Sequence, residues 1–216
     1  MPLILPGNVA SATAGAYEVA NSCRFNPGDT AYMHKTPGSD GNKQKFTFST
    51  WIKFCDDATT RGIFSAWNSN ADASHFNFTR ASTGKLTLET WSANVFTTNR
   101  VFRDVSAWFH LVLAVDTTQG TDTNRIKLYV NGVQETSFSA VTYPSQNDNY
   151  IVNTQNIHVV GGNYYGSALN NAGNYYLAET VFIDNAQLTP TSFGEFDEDS
   201  PRIWKPINVS GLTFGT

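Results

Sequence analysis

The sequence predicts an all-β protein whose strands form a sandwich, and three observations lead to this prediction. Apolar and polar residues alternate with a period of two along most of the 216 residues, which is typical of strands with one face in a core. Short segments rich in Gly, Asn, Ser and Thr separate these runs. No stretch shows convincing helical periodicity. We therefore expect about a dozen strands and at most one or two helical turns.

Two segments show the strand pattern most clearly. In Phe46–Cys55, every second position from Phe46 to Phe54 is large and apolar except Thr50. Trp108–Val115 is apolar on nearly both faces, which favours a strand at the centre of a sandwich. The residues that we expect to be buried between the two sheets are Phe48, Ile52, Leu111, Leu113, Leu128 and Val130.

Turn residues mark the connections between strands. Asn131 and Gly132 predict a two-residue hairpin, because a type I′ turn needs positive φ at both central positions. Ser82–Gly84 predicts a second hairpin, and Asp116–Asn124 is predicted to be a polar loop between two apolar strands. The best candidate for a helical turn lies at Pro190, because proline is favoured at the first position of a helix.

Composition and charge exclude several classes of protein. The chain has 14 Lys and Arg against 18 Asp and Glu, a formal charge of −4, and only 15% of its residues are charged. This balance argues against nucleic-acid binding, which requires clustered cations to neutralise phosphates. The longest apolar run, Trp108–Val115, is far shorter than the roughly 20 residues that span a bilayer, so we expect no membrane insertion.

The chain divides into three segments. Residues 1–16 are predicted to be an extended N-terminal arm, because Pro2 and Pro6 interrupt its apolar stretch. Residues 17–196 are predicted to form the β-sandwich, and residues 197–216 a C-terminal extended segment. The arm residues expected to pack against another subunit, or into a groove of the domain itself, are Leu3, Ile4 and Leu5.

The cysteines and histidines show no pattern of a catalytic or metal centre. Cys23 and Cys55 lack the spacing of metal ligands and are expected to be small buried thiols. The four histidines lie dozens of residues apart, and no Ser or Cys has a nucleophile context such as G-x-S-x-G. His110, which follows Trp108 on an apolar strand, is expected to be a structural histidine.

Several segments together resemble one family. Trp108–Asp116, followed after a polar loop by Ile126–Gly132, resembles the W-x-H-hydrophobic…L-Y-V-N-G signature of laminin-G-like domains. Phe48–Lys53 resembles that family's early strand, and Tyr176–Phe193 resembles its closing strand and short turn. These domains belong to the concanavalin A-like lectin/glucanase superfamily. The resemblance therefore implies a jelly roll of two antiparallel sheets.

A narrower resemblance is to the laminin-G-like proteins encoded by tailed bacteriophages, notably those of marine bacteria. The sequence segments on which this resemblance rests are Leu5–Asn8, Asn21–Asn26, Tyr143–Asn147 and Ser192–Asp197. This resemblance implies localisation in the virion, commonly on appendages such as tail fibres. The partners that it implies are other virion subunits, with the chain itself as a homo-oligomer.

Three functions are compatible with these resemblances. The first hypothesis is a non-enzymatic surface or tail-associated adhesion module that binds host-surface glycan, with avidity from multiple copies. The alternative is a purely structural capsid decoration or adaptor protein. A glycan hydrolase is disfavoured, because the superfamily's glucanases use an E-x-D-x-x-E strand, and here Glu195 and Asp197 are followed by Ser200 where the third acid would stand. We therefore predict that the chain is not an enzyme.

One loop has the oxygen ligands that suit calcium, which lectin-like and laminin-G-like members often hold in edge loops. Asp116, Asp122 and Asn124 supply carboxylate and amide oxygens but lack a fixed ligand spacing. A plain hairpin loop, in which Asp and Asn side chains bond to their own backbone, is the favoured interpretation. We expect no cofactor, with Ca²⁺ as the alternative.

Sugar binding uses aromatic faces for C–H groups and amides or carboxylates for hydroxyls. The Gly-rich segment 161–176 supplies both kinds of group and contains no charged residue, so we expect neutral glycans to be preferred. The residues predicted to bind carbohydrate are Tyr164, Tyr165, Tyr175, Asn163, Asn174 and Trp67, with Trp91 as a further candidate. The alternative is that these tyrosines seal the sandwich edge or a subunit interface.

Overall fold

The chain forms two antiparallel β-sheets that pack face to face, and the all-β prediction is confirmed. The computed structural model describes residues 17–68, 75–91, 93–165 and 168–214. In these ranges the strands are β1 (Cys23–Phe25), β2 (Met33–Lys35), β3 (Lys45–Phe54), β4 (Arg61–Trp67), β5 (His75–Arg80), β6 (Lys85–Thr90), β7 (Ala93–Val101), β8 (Phe109–Asp116), β9 (Ile126–Val130), β10 (Val133–Glu135), β11 (Phe138–Val141), β12 (Ile157–Val160), β13 (Asn163–Tyr165), β14 (Ala168–Asn170), β15 (Tyr175–Asp184), β16 (Gly194–Phe196) and β17 (Trp204–Pro206). The helical segments in the same ranges are short 3-10 turns at Pro27–Asp29, Asp122–Asn124 and Pro190–Ser192.

Six strands form one sheet, which we call the back sheet, in the order β1-β15-β3-β8-β9-β10. Seven strands form the other, which we call the front sheet, in the order β11-β7-β6-β5-β4-β12-β2. Two ribbons, β13-β14 and β16-β17, form separate two-stranded sheets. Several neighbours in the sheets, such as β1 and β15, are far apart in sequence. This arrangement is that of a jelly roll.

The core lies between the two sheets. All six residues predicted to be buried there are buried, each at most 1% exposed. Rings from the two sheets meet in this space: Phe48 stacks on Phe64 with centroids 4.8 Å apart, and Phe46 meets Phe76 edge-on at 5.7 Å. Each buried phenyl ring stabilises the fold by about 1.5–3 kcal/mol relative to an exposed one.

The predicted turns are confirmed. Asn131 and Gly132 connect β9 to β10 with φ values of 49° and 79°, as a type I′ turn requires. β5 and β6 form the second hairpin, with Gly84 at a φ of 80°. The predicted helical turn is the 3-10 turn that begins at Pro190.

The C-terminal segment lies across the outer face of the back sheet. Trp204, at the start of β17, is 8% exposed, and its indole N–H donates to Nδ1 of His110 at 2.9 Å. Since Nδ1 accepts, the proton of the neutral His110 ring is on Nε2, which donates to Ser49 Oγ at 2.9 Å. The prediction of a structural histidine is confirmed. A second, smaller core lies on this face and consists of Val112, Ala114, Tyr129, Val181, Ile183 and Phe193, with the partly buried Ala186, Leu188, Val209 and Leu212.

The remaining expectations concern the chain's arm, its thiols and membranes. The arm 1–16, with its three aliphatic residues, lies outside the described residues. Cys55 is partly buried, but Cys23 is exposed, so the prediction of a buried thiol is wrong there. The reason is that β1 is a three-residue strand at the edge of the back sheet. Within the part of the chain that the structure describes, no helix has the length and apolarity to cross a membrane.

Candidate functional site

The outer face of the front sheet carries a row of aromatic side chains. In β4, Phe64 and Ala66 are buried in the core, so the period of two directs Trp67 outward. Trp67 is the register partner of His75 on β5, and the two side chains therefore lie side by side. His75 in turn meets Trp91 edge-on at 6.2 Å.

Ring contacts extend the row on the other flank of Trp67. The Trp67 ring lies 5.8 Å from the ring of Tyr164, and the Tyr164 ring lies 6.4 Å from that of Tyr32. Tyr32 contacts His34 of β2 at 5.6 Å. We call these six rings the aromatic row: His34, Tyr32, Tyr164, Trp67, His75 and Trp91. Tyr32 is 38% exposed and Trp91 is 59% exposed, so the aromatic row presents apolar ring surface to solvent.

Glycines allow the β13 ribbon to lie directly on the front sheet. Ser65 Oγ donates to the carbonyl of Gly162 at 3.2 Å and accepts from the backbone N–H of Tyr164 at 3.1 Å. A Cβ atom on Gly62 would collide with the backbone of Gly162. This close approach fixes the Tyr164 ring beside Trp67.

Asn163, predicted to contact glycan, is instead an anchor for the same ribbon. Its side chain is buried, and its amide donates to Thr79 Oγ1 at 3.2 Å. The amide is therefore directed at the front sheet and away from solvent. Its contribution is to hold Tyr164, the next residue, in the aromatic row.

Tyr175 lies in the core, contrary to the expectation that it projects from a loop. It is fully buried, its hydroxyl donates to the carbonyl of Gly62, and its ring meets Phe54 edge-on at 6.2 Å. This burial raises the pKa of Tyr175. The physical reason is the strand period: Tyr175 begins β15, so it points inward while Tyr176 points outward.

Asn174 is held in a network of charged groups. Its Oδ1 accepts from Arg24 at 2.7 Å and its Nδ2 donates to Asp56 at 2.7 Å. Asp56 also pairs with Arg61 at 2.6 Å and with the fully buried Arg80 at 2.8 Å. Burial acts to raise the pKa of Asp56, but the hydrogen bonds that it accepts outweigh this effect and lower the pKa. Both amide atoms of Asn174 are occupied, so it serves this network.

Polar side chains accompany the aromatic row on the same face. Asn77 and Glu89, register partners on β5 and β6, lie next to the position of His75. Burial lowers the pKa of His75, against an opposing effect of Glu89, so the imidazole is neutral at pH 7. The exposed Glu89 leaves this part of the face with a negative charge. The face thus combines ring surfaces with groups that bind hydroxyls.

Sequence reasoning identified part of this row and missed the rest. Trp67, Tyr164 and Trp91 were predicted from their residue types, whereas Tyr32, His34 and His75 were not. His75 could have been placed on the outer face, because it alternates with buried phenylalanines in β5. Tyr165 is 64% exposed on β13 but makes no ring contact with the row among the described residues.

The residues considered for calcium do not fit that ion. Asp116 is buried, and its carboxylate lies 3.2 Å from the ammonium of Lys45 and accepts from Thr118 and Gln119. Asp122 accepts from the backbone of Thr123 in a 3-10 turn that also contains Asn124. Calcium needs six to eight oxygens, and here a lysine already neutralises the central carboxylate. Among the described residues, no group of three or more His, Cys, Asp or Glu is placed to hold a metal.

The acidic pair Glu195, within β16, and Asp197, directly after it, lacks the features of a glycosidase centre. Lys205 Nζ lies 3.4 Å from Glu195 and 3.3 Å from Asp197. The hydrogen bond from Lys205, with those from the backbone, lowers the pKa of Asp197. A general acid in a glycosidase needs a raised pKa, so this environment works against proton donation.

A family model described as the concanavalin A-like lectin/glucanases superfamily matches residues 27–180. No curated protein sequence matches the chain. Among solved structures, the heptameric SAP-like pentraxin from Limulus polyphemus is 18% identical, with a TM-score of 0.51 over 73% of this chain and 71% of that one. NanB bound to Optactamide is 15% identical, with a TM-score of 0.54 over 79% of this chain. The match spans only 26% of the NanB chain, and at these identities both likenesses concern the fold alone.

Proposed function

Because the chain belongs to the concanavalin A-like lectin/glucanase superfamily, we propose that it is a non-enzymatic glycan-binding module whose binding surface is the aromatic row. The observation that carries this proposal is the aromatic row across the front sheet. Ring contacts link its members from His34 to Trp67 and from His75 to Trp91. The register of β4 and β5 places Trp67 beside His75. Aromatic faces pack on the C–H groups of pyranose rings. An extended row favours a chain of several sugar units over a single small molecule.

The electrostatics of the face support a preference for neutral glycans. His75 is neutral and Glu89 is negatively charged, so a sulfated or sialylated sugar would meet repulsion there. Amides and hydroxyls exchange water for sugar hydroxyls with little net gain, so the affinity of one copy is low. We expect a Kd near the millimolar level, about −4 kcal/mol per site.

A virion of a tailed bacteriophage is the proposed setting for this activity, with host-surface glycan as the ligand. Two sequence segments that resemble those of phage-encoded laminin-G-like proteins, Tyr143–Asn147 and Ser192–Asp197, support this setting. Several copies on one particle, contacting one another and other virion subunits, would raise a weak single-site affinity through avidity. The heptameric Limulus pentraxin is a precedent for an oligomer built from a protein with this fold.

Two adjacent tyrosines offer a matched test of the proposal. Tyr164 belongs to the aromatic row, whereas Tyr165 is exposed outside it. We expect Tyr164→Ala to weaken glycan binding roughly tenfold, about 1.4 kcal/mol, and Tyr165→Ala to leave it unchanged. A glycan array identifies the ligand, titration calorimetry gives the affinities, and the melting temperature shows that each variant is folded.

The structural alternative predicts a different outcome of the same experiment. If Tyr164→Ala binds glycan as well as the wild type while its oligomer or virion assembly is lost, the row is an interface and the proposal fails. Equal losses in both variants would also contradict it, because in the described part of the chain the Tyr165 ring makes no ring contact with the row.

A further inference from the structure

A cavity of about 450 Å³ opens on the side of the sandwich, next to one end of the aromatic row. We call it the side cavity. It lies between β2, the edge strand of the front sheet, and the second half of β15. β1 pairs with Tyr175–Leu177 only, so in the described part of the chain the rest of β15 has no strand partner on this side. The volume of the side cavity is in the range of small-ligand sites.

β2 connects the side cavity to the aromatic row. His34, at the centre of this three-residue strand, contacts Tyr32 in the row. The residues on either side of it, Met33 and Lys35, line the cavity together with Phe214 near the C-terminus. A ligand lying on the row can therefore pass over the β2 edge and place its end in the cavity.

The interior of the side cavity is apolar and its rim is polar. Phe64 and Phe182 lie at its floor with ring centroids 5.8 Å apart. Asp184 on the rim is fixed in place, because its Oδ1 accepts from the backbone of Asn42 at 2.9 Å and from the amide of Asn153 at 2.8 Å. The other polar residues of the lining are His34, Lys35, Ser39, Asn153 and His158.

These features select the chemistry of what enters. A hydroxyl placed against the rings of Phe64 and Phe182 loses water and gains no hydrogen bond from them, whereas a methyl group gains apolar contact. Binding is therefore strengthened when an apolar substituent, and not a hydroxyl, is buried in the side cavity. Rim groups such as Ser39 and Asp184 remain available to the polar part of the same unit.

We propose that the side cavity receives an acylated sugar residue, such as an N-acetylated one, belonging to the glycan that lies on the aromatic row. The inference rests on the proposed function and adds the class of sugar that is recognised. It predicts that an acetyl group increases affinity roughly tenfold, the discrimination expected for a small apolar group in an apolar pocket.

Two oligosaccharides of equal length test the inference. Pentamers of β1,4-linked N-acetylglucosamine and β1,4-linked glucose differ at C2, where one has an acetamido group and the other a hydroxyl, and both are uncharged. We expect the N-acetylated pentamer to bind roughly tenfold more tightly. The Met33→Trp variant, at a position 47% exposed, fills the cavity from its edge and should remove this difference. Val141→Trp, on the opposite edge strand of the front sheet and 42% exposed, is the matched control.

A spectroscopic readout makes the result independent of affinity. The chain contains two methionines, Met1 and Met33, so the labelled methyl group of Met33 is an almost isolated NMR probe of the cavity. The N-acetylated pentamer should shift this resonance, and the glucose pentamer should leave it in place. Equal affinities, or an unshifted Met33 signal at saturation, would overturn the inference.

Failure of this inference and failure of the proposed function give different patterns. If Trp91→Ala weakens both pentamers while Met33→Trp changes nothing, the aromatic row binds glycan and the side cavity does not. If Trp91→Ala changes neither affinity while Met33→Trp removes binding, the cavity binds alone and the proposed role of the row is wrong. If neither pentamer binds to the wild type, the inference fails.

Discussion

The two outer faces of the sandwich carry the same kinds of ring and use them differently. On the back sheet, His110 stacks on Trp51 at 5.0 Å, and the hydrogen-bonded indole of Trp204 lies beside it at 6.0 Å. The C-terminal segment covers these rings. On the front sheet the aromatic row is left open. Trp204 is 8% exposed and Trp91 is 59% exposed. Aromatic content alone therefore does not identify a binding surface, because the chain can cover its own rings.

Hydrogen bonding does not separate the two faces in the same way. Both ring nitrogens of His110 are bonded within the protein, to Ser49 and Trp204. The buried indole nitrogen of Trp51 on this face, however, has no hydrogen-bond partner among the described residues, and neither has the buried Oδ1 of Asn77 on the front face. The difference between the faces therefore lies in the exposure of their rings.

Removal of the indole that closes the back face should give the largest effect on stability. Trp204→Ala deletes a buried ring and the donor to His110, so we expect the free energy of unfolding to fall by about 3–5 kcal/mol. Denaturant titration followed by circular dichroism measures this loss. If stability is unchanged, the C-terminal segment is not part of the folded domain, and the back face is as open as the front.

Acid should loosen the back face through His110. Burial lowers the pKa of His110 to about 3, below its ordinary value of 6.5. Between these two values the unfolded chain binds a proton that the folded chain does not, so stability falls as the pH is lowered through this window. One such group accounts for up to about 1.4 kcal/mol per pH unit.

The His110→Gln variant isolates that contribution, because a Gln amide offers both a donor nitrogen and an acceptor oxygen and does not titrate. Denaturation curves between about pH 6 and pH 4.5, above the titration of most carboxyl groups, should show a shallower slope than in the wild type. Part of the slope remains, since burial also lowers the pKa values of His75 and His158. Identical slopes in variant and wild type would show that His110 is not buried as a neutral ring.

The sequence was sufficient for the fold but not for the whole site. Strand alternation and turn residues depend on local physics, which is why the hairpin at Asn131 and the burial of Leu113 were predicted correctly. The aromatic row depends on register between strands and on β13 lying over β4, and no local pattern specifies either one. Tyr175 was misjudged for a different reason: the strand period applied to β15 would have placed it inside.

The central claim is that the open front face binds glycan and the covered back face does not, and one pair of tryptophans tests it most directly. Trp91 belongs to the aromatic row, while Trp108, 36% exposed, lines a hollow on the back sheet with Trp51 and Pro206. Trp91→Ala should keep its stability within about 0.5 kcal/mol of the wild type, as expected of an exposed position. Titration with the glycan that the wild type binds should show binding lost in Trp91→Ala and retained in Trp108→Ala. Binding retained in Trp91→Ala and lost in Trp108→Ala would contradict the account.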